Sequence, residues 1–207
     1  MRPNEEATLG RSAKFWDTQR SRSRGFSMVE LAVSLSVALI LTAVAIPSLM
    51  RSFRTYQLND AAARLSDQLK STRFEAVRRN TQINCQIQRF GTDWIAWTDS
   101  ISNGAVDPTE KQILISGFVT LLPSGAPPSS ASITSKLGAN STLTTLAGAN
   151  NTVTFDARGA VSSLTADVFY LGSAASSEFG YRAVILLPSG AVQIWTAQAG
   201  STWQRVG

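Results

Sequence analysis

A carboxylate, Glu30, stands directly before twenty residues, 31–50, that carry no charge at all. Twenty apolar residues in a helix match the ~30 Å hydrocarbon core of a bilayer. An ionised carboxylate there is disfavoured by about 2.5–3.5 kcal/mol at the centre of a span and by less toward its end. Such a group calls for a cationic partner. A cut between Gly25 and Phe26 would create one, a new α-ammonium on Phe26, four residues ahead of Glu30. Elsewhere the reactive inventory is thin. The chain has no histidine and a single cysteine, Cys85. That removes the commonest general base and metal ligand, and with them any intrachain disulfide. The Gly-containing stretch "LGAN" (137–140) is not followed by the Lys-Ser/Thr pair of a phosphate loop, and the serines and lysines show no nucleophile-and-base spacing. No catalytic residue, cofactor or metal is expected. Trp94, Trp97, Trp195 and Trp203 read as core or sheet-face packing. Cys85 alternates with Ile83 and Ile87 at period two and reads as a small buried hydrophobe.

The charge distribution points the same way. Of the net +5, the first 25 residues supply +3, with six basic side chains against three acidic ones. The high pI of about 9.9 therefore says little about nucleic acid. A removable secretory signal has a short apolar region of about 7–15 residues and a small-residue cleavage site. The run here is longer, ends in "IPSLMRSFR" (46–54), and reads as retained. Arg20, Arg22 and Arg24 precede it directly. By the positive-inside tendency they keep the leader cytoplasmic and send the C-terminal part across the membrane, because the five basic residues from Arg11 to Arg24 outnumber Arg51 and Arg54 on the far side.

These residues need elements to hold them. Past the uncharged run, Leu58, Ala62, Leu65, Leu69, Thr72 and Ala76 recur at steps of three and four, an apolar stripe opposite a charged face. A single helix over 26–79 would be about 80 Å long at 1.5 Å per residue. Pro47 would be its one kink or local opening, and Asn80 its end. The period then changes. "INCQIQ" (83–88), "WIAWT" (94–98), "ILISGFVTLL" (113–122), "TVTFD" (152–156), "DVFYL" (167–171), "YRAVILL" (181–187) and "AVQIWTA" (191–197) are short, β-branched or aromatic, and bounded by turn residues. "FDARGAV" (155–161) reads as a turn at 157–159, and "LLPSGAVQI" (186–194) as a hairpin around Pro188, Ser189 and Gly190. Residues 122–151, whose only charge is Lys136, read as one long flexible loop. The fold class is α+β: a long N-terminal helix, transmembrane over 26–50 and amphipathic over 51–80, packed on an antiparallel β-sheet domain over 81–207.

"RGFSMVE" (24–30) resembles the cleavage motif of type IV prepilins and type II secretion pseudopilins. The resemblance implies that a prepilin peptidase removes a cytoplasmic leader, residues 1–25, and N-methylates Phe26. It also implies that Glu30, fifth in the mature chain, neutralises the terminal amine of a neighbouring subunit during assembly. Pro47, at the twenty-second mature position, fits the same pattern. The leader of 25 residues is longer than that of many type IV pilins. The implied partners are other pilin or pseudopilin subunits, the peptidase/methyltransferase, an inner-membrane assembly platform and membrane lipid. The implied location is the bacterial inner membrane, single-pass, with a periplasmic C-terminal domain and entry into a filament.

A strand, "FDARGAV" and the closing pair "YRAVILLPSGAVQIW" (181–195) resemble the C-terminal half of the GspH/FimT group of minor pilins and pseudopilins. The resemblance covers about 50 residues. The two-cysteine loop of many major pilins is absent, and so is the carboxylate cluster with which major pseudopilins hold calcium, since Asp167 and Glu178 are the only acidic residues beyond Arg158 and lie far apart. The expected role is a structural minor pilin or pseudopilin subunit. The alternative is a DNA-binding minor pilin for natural transformation. DNA receptors of this group carry arginines just after the hairpin glycine, whereas "SGAVQIW" (189–195) has Ala191 and Gln193 there. Only Arg182 and Arg205 lie near, and two cations support weak, salt-labile contact at best. DNA is not expected as a partner.

Overall fold

The computed structural model describes residues 25–122, 127–138, 142–145, 148–173 and 175–206. Residues 1–24 of the expected leader, 1–25, lie outside them. The described residues divide into two units after residue 44. One helix, α1 (Met28–Arg79), begins in the first and continues in the second. Ten strands and one short helix follow it: β1 (Ile83–Phe90), β2 (Asp93–Asp99), β3 (Gln112–Ile115), β4 (Thr120–Leu122), α2 (Ala131–Leu137), β5 (Leu143–Thr145), β6 (Asn150–Phe155), β7 (Ala166–Gly172), β8 (Tyr181–Leu186), β9 (Val192–Ala197) and β10 (Gln204–Val206).

The amphipathic stripe seats the domain. Leu58, Ala62, Leu65, Leu69, Thr72 and Ala76 are all fully buried. They share a core with Ile83, Cys85 and Ile87 of β1, Phe155 of β6, Phe169 and Leu171 of β7, and Val184 and Leu186 of β8. Burial pushes the Cys85 thiol up to about 12, as befits a small hydrophobe. Polar side chains on the stripe are bonded across it. Gln68 Nε2 donates to Thr98 Oγ1 and to the Lys111 carbonyl, each at 2.9 Å, and the Thr72 and Thr98 hydroxyls lie 2.7 Å apart. The helix ends at Asn80, whose φ of +50° starts a reversal. Asn80 N–H donates to Val77 and Thr81 N–H to Ala76, at 3.2 and 3.1 Å, the paired bonds of a Schellman end.

The strands form two sheets, in the orders β3-β2-β1-β6 and β10-β9-β8-β7-β4, with β5 added to β7 in parallel. The antiparallel expectation holds for every other strand pair, and it needs three corrections. Residues 113–122, read as one strand, are two: Gly117, at φ +74°, turns the chain between β3 in one sheet and β4 in the other. The stretch 122–151, read as one long loop, contains α2, β5 and the start of β6. A closing strand, β10, follows the last strand expected from the sequence and pairs with β9. A physical reason for α2 is plain in the second sheet, where β8 is buried at all six positions. Its Val184 and Leu186 face the α1 core. Its Ala183 and Ile185 join Val168, Tyr170, Trp195, Ile133 of α2 and Trp203 in a second cluster. Trp203 fixes that cover: its backbone N–H donates to Ser132 Oγ at 3.0 Å and its Nε1 to the Pro128 carbonyl at 3.2 Å.

Both expected turns are formed. Asp156 Oδ1 accepts the N–H groups of Arg158 and Ala160 at 2.9 and 2.8 Å, and Gly190 N–H donates to the Leu187 carbonyl at 2.8 Å. The turns meet, with Val161 N–H donating to the Pro188 carbonyl at 2.9 Å. A Cβ on Gly190 would lie 2.0 Å from the Gly159 carbonyl oxygen and 2.8 Å from Arg73 Nε of α1. Only glycine fits where these turns close on the helix.

Candidate processing and assembly site

In the first unit, Gly25 and Phe26 precede α1 in non-helical backbone. Phe26 is 74% exposed, and nothing lies within 4 Å of a Cβ placed on Gly25. Leu31 N–H donates to the Ser27 carbonyl at 3.0 Å, so helical bonding begins at the junction. Glu30 falls in the first turn, where the free N–H groups favour an anion. No cation pairs with it among the described residues.

Behind Glu30 the helix presents an uninterrupted apolar surface. Leu31, Val33, Leu35, Val37, Leu39, Ile40 and Leu41 are all exposed. Two polar side chains there bond to the helix's own backbone: Ser36 Oγ donates to the Ala32 carbonyl at 2.8 Å and Thr42 Oγ1 to the Ala38 carbonyl at 2.7 Å. A surface of this kind is far larger than a soluble protein leaves uncovered, and the helix is long and apolar enough to cross a membrane. In the second unit, Pro47 lies inside α1, which remains helical through it. Lacking an N–H, it leaves the carbonyl four residues before it without the usual donor.

The two cations considered for DNA are not brought together as a surface. Arg182 is buried, at 5% exposure. Its Nε donates to Asn59 Oδ1 at 2.6 Å and its Nη1 to the Tyr181 carbonyl at 2.9 Å. Burial pushes its pKa down. It ties β8 to α1, and its guanidinium is engaged inside the domain instead of lying open on the surface. Arg205 is exposed on β10. Trp94, Trp97, Trp195 and Trp203 are all buried. Among the described residues no three His, Cys, Asp or Glu side chains gather as a metal site.

The profile of the prokaryotic N-terminal methylation motif matches residues 20–46, the segment holding Gly25, Phe26 and Glu30. The profile described as type II transport protein GspH matches residues 61–190, from the helix stripe through the hairpin glycine. The chain belongs to the GspH family. This GspH-family chain is thus a minor pilin or pseudopilin with a prepilin methylation motif. It is also similar to the type IV minor pilin FimU of Pseudomonas aeruginosa strain PAO1 in two crystal forms. Both are 18% identical with a TM-score of 0.45, covering 67% and 66% of this chain and 88% and 91% of the FimU chains. No curated protein matches it.

One contact lay beyond sequence reasoning. Arg51, just past the uncharged run, donates to Glu178, 127 positions away, at 2.7 Å. No local pattern marks such a pair.

Proposed function

We propose that this chain is a structural subunit of a type IV pilus or type II secretion system, matured by prepilin peptidase at Gly25–Phe26 and methylated on Phe26. The observation that carries the reading is the coincidence of the methylation motif with a Glu30 that has no cationic partner among the described residues, at the head of an exposed apolar helix. The chain sits in the inner membrane with its N-terminus cytoplasmic and its domain periplasmic. It enters a filament through an assembly platform, alongside other pilin or pseudopilin subunits. Glu30 is tolerated in the lone subunit because it lies at the end of the span, where the penalty is below the ~3 kcal/mol of its centre. In the filament it pairs with the α-ammonium of a neighbour, so assembly is favoured over isolation in lipid. Pro47 loosens the helix where subunits pack.

The test is Glu30→Ala in the full-length protein. The variant is expected to insert and to be cleaved like the wild type, but to be lost from complexes with its partner subunits recovered from membranes. Recovery of the variant with those partners at wild-type levels would overturn the role given to Glu30.

A further inference from the structure

Within the second unit, the first turns of α1 expose Ile46, Leu49, Met50 and Phe53. The apolar helix surface ends there, and two arginines begin. Arg51 Nη2 donates to Glu178 Oε1 at 2.7 Å. The Arg54 guanidinium lies 4.5 Å from the Phe118 ring centroid, and Phe118 meets Phe179 edge to face at 5.1 Å. The segment carrying Glu178 and Phe179, and the β3–β4 turn carrying Phe118, are therefore held beside residues 51–54. At 1.5 Å per residue, Arg51 is about 3 Å along the axis from Leu49 and Arg54 about 8 Å. The headgroup layer of a bilayer adds roughly 6 Å beyond the hydrocarbon on each side.

We propose that this end of the domain, residues 116–118 and 175–179, rests on phospholipid headgroups around α1, with Arg51 and Arg54 as ligands of the lipid phosphates. The inference rests on the membrane-spanning reading above and adds a lipid-binding surface to it. Three features fit a phosphate layer. The Arg51 side chain is 71% exposed although paired, so most of its five N–H donors are open to a second acceptor. Two guanidiniums against the single carboxylate of Glu178 leave the collar cationic. Phe118, beneath the Arg54 guanidinium, and Phe179, edge to face against Phe118, fix the collar beside residue 54 where the apolar helix surface ends. Ser116, Gly117 and Ser177, all exposed, present small residues that let the backbone approach a headgroup.

The experiment uses the full chain in vesicles of phosphatidylethanolamine and phosphatidylglycerol, with a fluorophore on one introduced cysteine. Cys85 is buried, with its thiol pushed up to about 12, so it stays unlabelled. The three positions are Ser177→Cys in the collar, Ala105→Cys and, within the span, Ser36→Cys. Ala105 lies in the loop tied to the far end of α1 by the bond from Arg79 to the Ser100 carbonyl, about 40 Å along the helix from Arg51 at 1.5 Å per residue. With nitroxide on the lipid headgroup, the Ser177 label is expected to lose most of its emission and the Ala105 label to keep it. With nitroxide on the acyl chain, the Ser36 label is expected to be quenched. In a background of Arg51→Gln and Arg54→Gln, quenching of the Ser177 label should largely disappear. A quenched Ser36 label beside an unquenched Ser177 label would overturn the collar contact alone. An unquenched Ser36 label would overturn the span and this inference with it. Unchanged Ser177 quenching without the two arginines would overturn their role as phosphate ligands.

Discussion

At the scale of single residues, the chain separates groups that a motif marks from groups that only folding brings together. Gly25, Phe26 and Glu30 are legible in sequence because the methylation motif that holds them is contiguous, and the chemistry proposed for it needs only neighbours: a junction, the amine a cut would create and a carboxylate within about one helical turn. Arg182 misleads because its type suggests a surface cation, whereas its neighbours Tyr181 and Ala183 lie in a strand buried on both faces. Asp167 on β7 is another residue that only the fold explains. Half-burial beside Thr144, Thr152 and Phe169 pushes its carboxyl up to about 6 from 3.8. The folded state then binds this proton more tightly than the unfolded chain, so the contribution of Asp167 to stability falls as pH rises from about 4 to about 6 and is level above that. Asp167→Asn is expected to stabilise the protein at pH 7, to change little below pH 4, and to flatten this slope in thermal unfolding. Gly190 gives a second test. A Cβ there meets the Gly159 carbonyl in addition to the cost of positive φ, so Gly190→Ala should destabilise by about 2–5 kcal/mol. Gly104→Ala, at φ +70° in open space, should cost only about 1–2 kcal/mol in the same denaturant titration.

At the scale of elements, periodicity carries most of the fold. The α1 stripe repeats at three and four because one face seats the sheets, and every predicted stripe residue is buried. Most strands show because their apolar positions alternate or cluster between turn residues. The helix α2 does not show, because "ASITSKL" is only seven residues, too short to repeat an apolar period, with Ile133 as its buried anchor. Its only trace is indirect. "YRAVILL" is apolar without alternation, which requires cover on both faces of β8, and α2 with Trp203 supplies the second cover. If that cover is structural, Ile133→Ala should cost about 2–5 kcal/mol, as for other buried isoleucines. A change within about 0.5 kcal/mol, the range of surface substitutions, would mean that α2 is not seated as described. The antiparallel sheets and the helix were thus readable, while β5, β10 and the split of 113–122 were not. Three-residue strands hold too few positions to display a period, and a glycine turn leaves no gap in an apolar run.

At the scale of the whole molecule, one chain carries two surfaces with opposite solvent requirements. The domain buries its apolar side chains in two clusters. The N-terminal part of α1 leaves its apolar side chains outward, with one carboxylate at their head. That asymmetry makes sense for a subunit held first in lipid and then among its neighbours in a filament, and it depends on a free amine at Phe26 appearing beside Glu30. The most direct measurement is therefore the intact mass and N-terminal sequence of the protein recovered from membranes of cells with an active prepilin peptidase. The account predicts a chain beginning at N-methylated Phe26, with residues 1–25 gone. An uncut leader in those membranes, or a mature chain that begins beyond residue 45, would contradict it.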